Sequence, residues 1–412
     1  MTVAAPPRPA VLSAPVALVT PWFGQDTRGG AENQAFQLVR ALRALGADIE
    51  VWTTTSRDAF SPRTEHHYPP GLNEIDGVRI RRWAMDAPVL GLPPGIGKLA
   101  RATGQRLPDF PAHEINLLGS LPNSAGLYQH LIANPARRCV FIPYPMGLSF
   151  WGSFLAQGRA FHIPCLHDEP YAYYSTYRAM LRRANAVLFN TAPERAFALE
   201  QYGMDETRAV VAGEGIDLHW AGDAERFRQR TGIDGPTLLY VGRRDTGKNL
   251  PLLLSYFREW RARTGRQLTL LLAGPGELPI PRGLGDWVVD LGFLDSQAKH
   301  DAYAAATVFC QPSTIESFSI VLMESWLQGT PALVNAKCPV TTDFAYRSGA
   351  GLPFGDFADW AGALERLLDD AALREAMGAA GQAFVRRECR WEDVAWRTIT
   401  AIATADATVR AG

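Results

Sequence analysis

The 412-residue chain has no run of about 18 uninterrupted apolar residues, so nothing in it is patterned to cross a bilayer as a helix. It has no surplus of one charge. Forty-one lysines and arginines stand against 42 aspartates and glutamates, which argues against a dedicated DNA binder and predicts no nucleic-acid partner. The five cysteines, Cys139, Cys165, Cys310, Cys338 and Cys389, are scattered, odd in number and never spaced as CxxC. That spacing offers no zinc cage and fits reduced thiols in a cytosolic protein. No repeat of fixed period runs through the chain, which excludes a solenoid.

What is present is apolar material for full-sized cores: 47% of residues are hydrophobic and 20% charged. This length predicts two domains, which need no disulfide or metal staples. Glycine (37) and proline (29) are plentiful, so the domains are rich in loops. The first residues, MTVAAPPRPAVLSA, loosely resemble a signal peptide, but prolines interrupt the apolar stretch. Residues 1–14 therefore read as a disordered leader, followed by a first buried strand.

Two stretches each open like a doubly wound α/β unit. PVALVTPWF at 15–23 is a short apolar run, followed by a turn-rich loop, GQDTRGG. Then AENQAFQLVRALRALG carries Phe36, Leu38, Val39, Leu42 and Leu45 near helical spacing, and ADIEVWTTT reads as the next strand. Strand, glycine loop, helix and strand within about 40 residues make a βαβ unit. The second opening is TLLYVGRR at 237–244, followed by DTGKN and a helical pattern; LTLLLAGPG, WVVDLGFL, VFCQPS and PALVNA supply further strands. Apolar runs of this kind predict parallel sheets covered on both faces. The expected fold is α/β with two Rossmann-like domains: 15–211 first, 212–390 second, a hinge near 210–217, and a final helix at 391–412 returning to the first domain. Residues 57–135 are the least regular and read as surface excursions of the first domain. Lys98, Arg101 and Arg106 give them a basic helical patch.

Five segments carry candidate chemistry. In PSTIESFSIVLMESWLQGTPALVN, Glu316 precedes a helix starting near Ser319, and Glu324 lies slightly over two turns further on. Backbone N–H groups at Phe318, Ser319 and Ile320 would face the same place as Glu316. Such a helix tip takes phosphate charge, while a carboxylate accepts sugar hydroxyl protons. In VGRRDTGKN, Arg243 and Lys248 supply fixed cations that neutralise a diphosphate leaving group without a metal; Arg244 is expected to point elsewhere. Gly29 and Gly30 open the first helix and let backbone approach a ligand closely. His167 and Asp168 follow FHIPCL, read as a strand, and so sit at its C-terminal end where ligands of open α/β sheets bind. Tyr171, Tyr173, Tyr174 and Tyr177 could stack on a sugar or fill a core. LAGPGE lacks the third glycine of a dinucleotide fingerprint.

The 312–335 segment closely resembles the E-x7-E signature of the retaining GT-B glycosyltransferases of family 4, and VGRRDTGKN is similar to that family's G-R-x(4)-K pattern. The resemblance covers 15–55 and 160–405 well and 57–135 poorly. It implies two Rossmann-like domains facing across a cleft. It also implies transfer of a sugar, with retention, from a nucleotide diphosphate-sugar to a hydroxyl of a saccharide or lipid-linked acceptor in surface polysaccharide or glycoconjugate synthesis. It assigns Glu316 to the donor sugar, Glu324 to the ribose hydroxyls, Arg243 and Lys248 to the diphosphate, and Gly30 to the donor phosphates. His167, beside Asp168, faces the donor sugar, and backbone groups at Phe293 and Leu294 read the base. Ser319 departs from the family, which usually has glycine there; a tightened sugar pocket is expected. D-x-D, the usual metal chelator of the other large transferase fold, is absent from the chain, so no metal cofactor is expected. Family members that work on lipid-linked sugars allow a cytoplasmic protein touching the inner membrane face. The rivals are a GT-B epimerase or hydrolase, which needs further acid and base carboxylates around the sugar, and a non-catalytic nucleotide-sugar binder.

Overall fold

The computed structural model describes residues 14–27, 29–59, 61–63, 65–107, 109–244, 246–277 and 279–411; the leader expected at 1–14 lies, Ala14 apart, outside the described residues. The chain divides into two compact units, Met1–Gly215 with Trp391–Gly412, and Ile216–Arg390.

The first unit is built on strands β1 (Val16–Val19), β2 (Ile49–Thr54), β3 (Gly71–Ile75), β4 (Val78–Trp83), β5 (Arg138–Phe141), β6 (Ala160–His162), β7 (Ala186–Phe189) and β8 (Ala209–Val211). Their order in the sheet is β3-β4-β2-β1-β5-β6-β7-β8, and only the β3–β4 pair is antiparallel. β1 is buried along its whole length, as a four-residue apolar run in a two-faced sheet must be. The helix Gly30–Ala44 buries Ala35, Leu38, Val39 and Leu42, a stripe at helical spacing, in one cluster with Val16, Leu18 and Val51. The last helix, Trp391–Ala411, adds Val394, Ala395, Ile399 and Ile402 to that cluster.

Residues 57–135 are more than surface excursions. VRIRRW forms β4 beside β2, and the helices Ile96–Ala102, Ala112–Ser120 and Ala125–Ala133 bury Ile96, Leu118, Leu127 and Leu131 in the core on the other face. The strand expected to run through FHIPCL is also shorter. β6 stops at His162, because Pro164 has no N–H for the ladder and Cys165 turns into the left-handed region at φ 52°. His167 therefore stands five residues past the strand end, on irregular backbone.

The second unit is a parallel sheet of β9 (Thr237–Val241), β10 (Thr269–Ala273), β11 (Val288–Gly292), β12 (Val308–Gln311), β13 (Ala332–Asn335) and β14 (Gly351–Phe354), in the order β11-β10-β9-β12-β13-β14. The order reverses between β9 and β12, so their C-terminal ends splay their following loops apart and leave a crevice, the place where open α/β sheets bind ligands. Beside it, Gly274 sits at φ 127°, and a Cβ there would collide with the Gly242 carbonyl; only glycine lets these two strand-end loops approach so closely.

Candidate active site

The residues that follow β9 and β12 meet. Lys248, in a short 3-10 turn after β9, places Nζ 2.7 Å from Oε1 of Glu316, which follows β12. Both side chains are partly shielded, 26% and 9% exposed, which keeps the pair from being fully screened by water. Gln311, the last residue of β12, donates through Nε2 to Glu316 Oε1 at 3.2 Å and to Ser319 Oγ at 2.9 Å. Nearby, Asn249 and Asn335 both donate to the Pro312 carbonyl at 3.0 Å and so fix the turn that leads into Glu316.

The helix that follows spans Ile320–Leu327, one residue later than the expected start. Ser319 caps it at φ 81°, ψ 71°, a left-handed conformation that explains why glycine is the easier residue there. The N–H groups of Phe318 and Ser319 have no hydrogen-bond partner among the described residues, and Ile320 opens the first turn, so the helix tip presents donors beside Lys248 and Glu316. The Phe318 ring itself is buried against Phe344. Glu324 lies within the helix, 9% exposed, where Lys299 Nζ stands 2.6 Å from Oε1 and the Tyr303 hydroxyl donates to Oε2 at 3.2 Å. Burial, with that carboxylate alongside, raises the Tyr303 phenol pKa well above its ordinary value and keeps it a donor.

Arg243 is exposed two residues past the end of β9, and its carbonyl accepts from the Tyr240 hydroxyl. Arg244 turns away and forms a two-pronged ion pair with Asp290. Phe293 and Leu294 follow β11: the Phe293 side chain is 69% exposed, whereas Leu294 packs on the core.

The first unit has its own cluster. Gly29 precedes the helix Gly30–Ala44, whose Gln34 donates to Asn190 Oδ1 at 2.6 Å and accepts from Cys165 Sγ at 3.3 Å. The first helix, which the glycine loop opens, and Cys165 of the 163–168 segment are thus tied by one buried polar network. Within that segment the His167 Nδ1 lies 3.5 Å from Glu169 Oε1, which also accepts from the Tyr144 hydroxyl at 2.6 Å. Asp168 accepts from the Tyr173 hydroxyl at 2.6 Å, a bond that raises the pKa of that phenol. Of the four tyrosines, Tyr177 is wholly buried and Tyr174 stacks on it, while Tyr171 and Tyr173 remain exposed.

Sequence reading missed Gln311, Lys299, Tyr303, Gln34 and Asn190. Gln311 had a signal, a polar residue closing an otherwise apolar strand. Lys299 and Tyr303 share a helix face at i, i+4, but nothing local names Glu324 as their partner.

Residues 29–215 match the family model of the glycosyl transferase 4-like domain, and residues 223–384 that of glycosyl transferases group 1. A D-inositol 3-phosphate glycosyltransferase from Kineococcus radiotolerans is 30% identical, over 86% of this chain and 86% of its own. The chain belongs to the family 4-like glycosyltransferases. A second such relative, from Frankia alni, is 28% identical to this glycosyltransferase over 87% of this chain and 91% of its own. Among solved structures, sucrose-phosphate synthase from Thermosynechococcus elongatus superimposes with a TM-score of 0.69 at 20% identity, covering 96% of this chain and all of the other. Anabaena HepE, in complex with UDP and glucose, gives 0.66 at 15% identity over 94% of this chain and all of HepE. The fold of this family 4-like glycosyltransferase is GT-B, with two parallel-sheet α/β units. No helix among the described residues is long and apolar enough to cross a membrane.

Proposed function

We propose that this glycosyltransferase transfers a hexose, with retention and without a metal, from a nucleotide diphosphate-sugar to a hydroxyl acceptor in surface polysaccharide or glycoconjugate synthesis. The observation that carries the donor assignment is the Lys248–Glu316 pair at the tip of the helix Ile320–Leu327, in the crevice between β9 and β12. Cation and unpartnered N–H groups suit a diphosphate; the carboxylate suits neutral hydroxyls. Lys299 and Tyr303 orient Glu324 for the ribose, and Arg243 adds a second cation to the phosphates. The domain assignment follows: 212–390 holds the donor, and 15–211 with 391–412 takes the acceptor and presents Gly29, Gly30, His167 and Asp168.

In the step proposed, the bond from the anomeric carbon to the β-phosphate oxygen breaks as the acceptor oxygen bonds to the same face. The acceptor's proton passes to the departing phosphate. Lys248 and the helix tip stabilise the negative charge that grows on that leaving group. UDP-glucose is the first donor to test, since HepE is solved with UDP and glucose, and an inositol phosphate is the first acceptor, given the names of the sequence relatives. In this proposal the protein works in the cytoplasm, and the patch around Lys98, Arg101 and Arg106 makes peripheral contact with the inner membrane face.

A nucleotide-diphosphate release assay tests the whole. Release is expected with donor and acceptor together and not with donor alone, and the product should keep the donor's anomeric configuration by NMR. EDTA is expected to leave the rate unchanged. Strong inhibition by EDTA that Mn²⁺ reverses would overturn metal independence, and release from donor alone would favour a hydrolase.

A further inference from the structure

Ser319 holds a conformation that suits it poorly. At φ 81° its Cβ crowds its own backbone, a strain that glycine would not carry. It is 6% exposed, its Oγ accepts from Gln311, and its hydroxyl hydrogen has no acceptor among the described residues. A buried O–H donor without an acceptor is costly, and a strained residue at a ligand crevice calls for a functional reason. The direction of that hydroxyl is constrained. Gln311 Nε2 touches both Ser319 Oγ and Glu316 Oε1, so the hydroxyl and the carboxylate flank one amide.

We infer that Ser319 is a specificity-determining residue that donates its hydroxyl hydrogen to one hydroxyl of the donor sugar, working in concert with Glu316. A sugar hydroxyl both donates and accepts. Placed between these two side chains, it gives its proton to the Glu316 carboxylate and takes one from Ser319. A phosphate has no proton to give at neutral pH and is repelled by that carboxylate, so the partner is the neutral carbohydrate and not the diphosphate. This inference rests on the donor-site assignment above.

The test measures binding of UDP-glucose, GDP-mannose and dTDP-glucose, and of UDP, GDP and dTDP, to wild type, Ser319→Ala and Ser319→Gly by calorimetry. Both variants should bind the preferred nucleotide-sugar about three- to tenfold more weakly, the range of one neutral hydrogen bond. Affinity for the nucleotide diphosphate alone should stay within about twofold. Deoxy versions of the preferred donor add a readout that a merely structural role would not move. Removing the one hydroxyl that Ser319 reads should weaken wild type more than Ser319→Ala, in which only the contact to Glu316 is left to lose. Ser319→Gly relieves the backbone strain, so a folded comparator exists even if the alanine variant is unstable. Unchanged nucleotide-sugar affinity, or an equal loss for the nucleotide alone, overturns the inference while the donor site stands. Wild type that binds none of the six ligands overturns both.

Discussion

Lys248→Ala is expected to lower turnover on the order of 10²–10³, roughly 3–4 kcal/mol of lost transition-state stabilisation. The loss has two sources. The ammonium lies 2.7 Å from Glu316 Oε1 at a helix tip, where a departing diphosphate would gain negative charge. Without it, the Glu316 carboxylate, only 9% exposed, would face that charge uncompensated. The loss should fall mainly on kcat, because the charge being stabilised appears as the sugar–phosphate bond breaks. Lys248→Arg should recover part of it: the charge returns, but a planar fork replaces a compact ammonium that fits one carboxylate oxygen. Steady-state kinetics with saturating acceptor decides the matter. Near-normal turnover in Lys248→Ala would remove Lys248 from the leaving-group site.

The sequence made the central parts of both units visible for a local reason. β1 and β9 are short apolar runs next to glycine loops, and their helices carry stripes such as Leu38, Val39 and Leu42, so each βαβ opening announces itself within about 40 residues. β4 was legible in principle, since VRIRRW alternates, but it follows directly on the turn at Asp76 and Gly77 and Arg82 is a buried arginine. Its guanidinium is paid for by the carbonyls of Phe23 and Thr54, 59 and 28 residues away, which no local pattern discloses. The site divides in the same way. Glu316 and Glu324 stand in a recognisable segment, whereas Lys299 belongs to another helix and meets Glu324 only through the fold. His167 was noticed, yet the support of the Leu166 backbone just before it was not, because the residue that holds it lies 28 positions away.

Glu194 is that support, and Glu194→Ala is expected to destabilise the first unit by about 3 kcal/mol or more, on the scale of the N–H groups of Leu166, Asn190 and Thr191 left without an acceptor. TAPE at 191–194 has the form of a capping box, and Thr191 does accept from the Glu194 N–H at 3.2 Å. Its carboxyl group, however, also reaches beyond its own helix. One oxygen accepts from the Leu166 N–H and the other from the Asn190 N–H, both at 2.6 Å. Leu166 immediately precedes His167, so losing this acceptor should both lower Tm and reduce turnover by freeing the 163–168 segment.

A pH signature separates this account from generic core damage. Burial pushes the Glu194 carboxyl up to about 8, outweighing the bonds from Leu166, Asn190 and Thr191 that pull it down. An unfolded glutamate titrates near about 4.3, so the folded state binds the proton more tightly. The stability from this group is therefore complete below that pH and drains away as pH rises toward about 8. Glu194→Gln keeps the size of the side chain and cannot titrate, so its Tm should vary less with pH than that of wild type across this window. Calorimetric scans at several pH values from 4.5 to 8.5 read the difference directly. Parallel slopes for wild type and Glu194→Gln would mean that the carboxyl is ionised throughout, with the three N–H bonds outweighing burial.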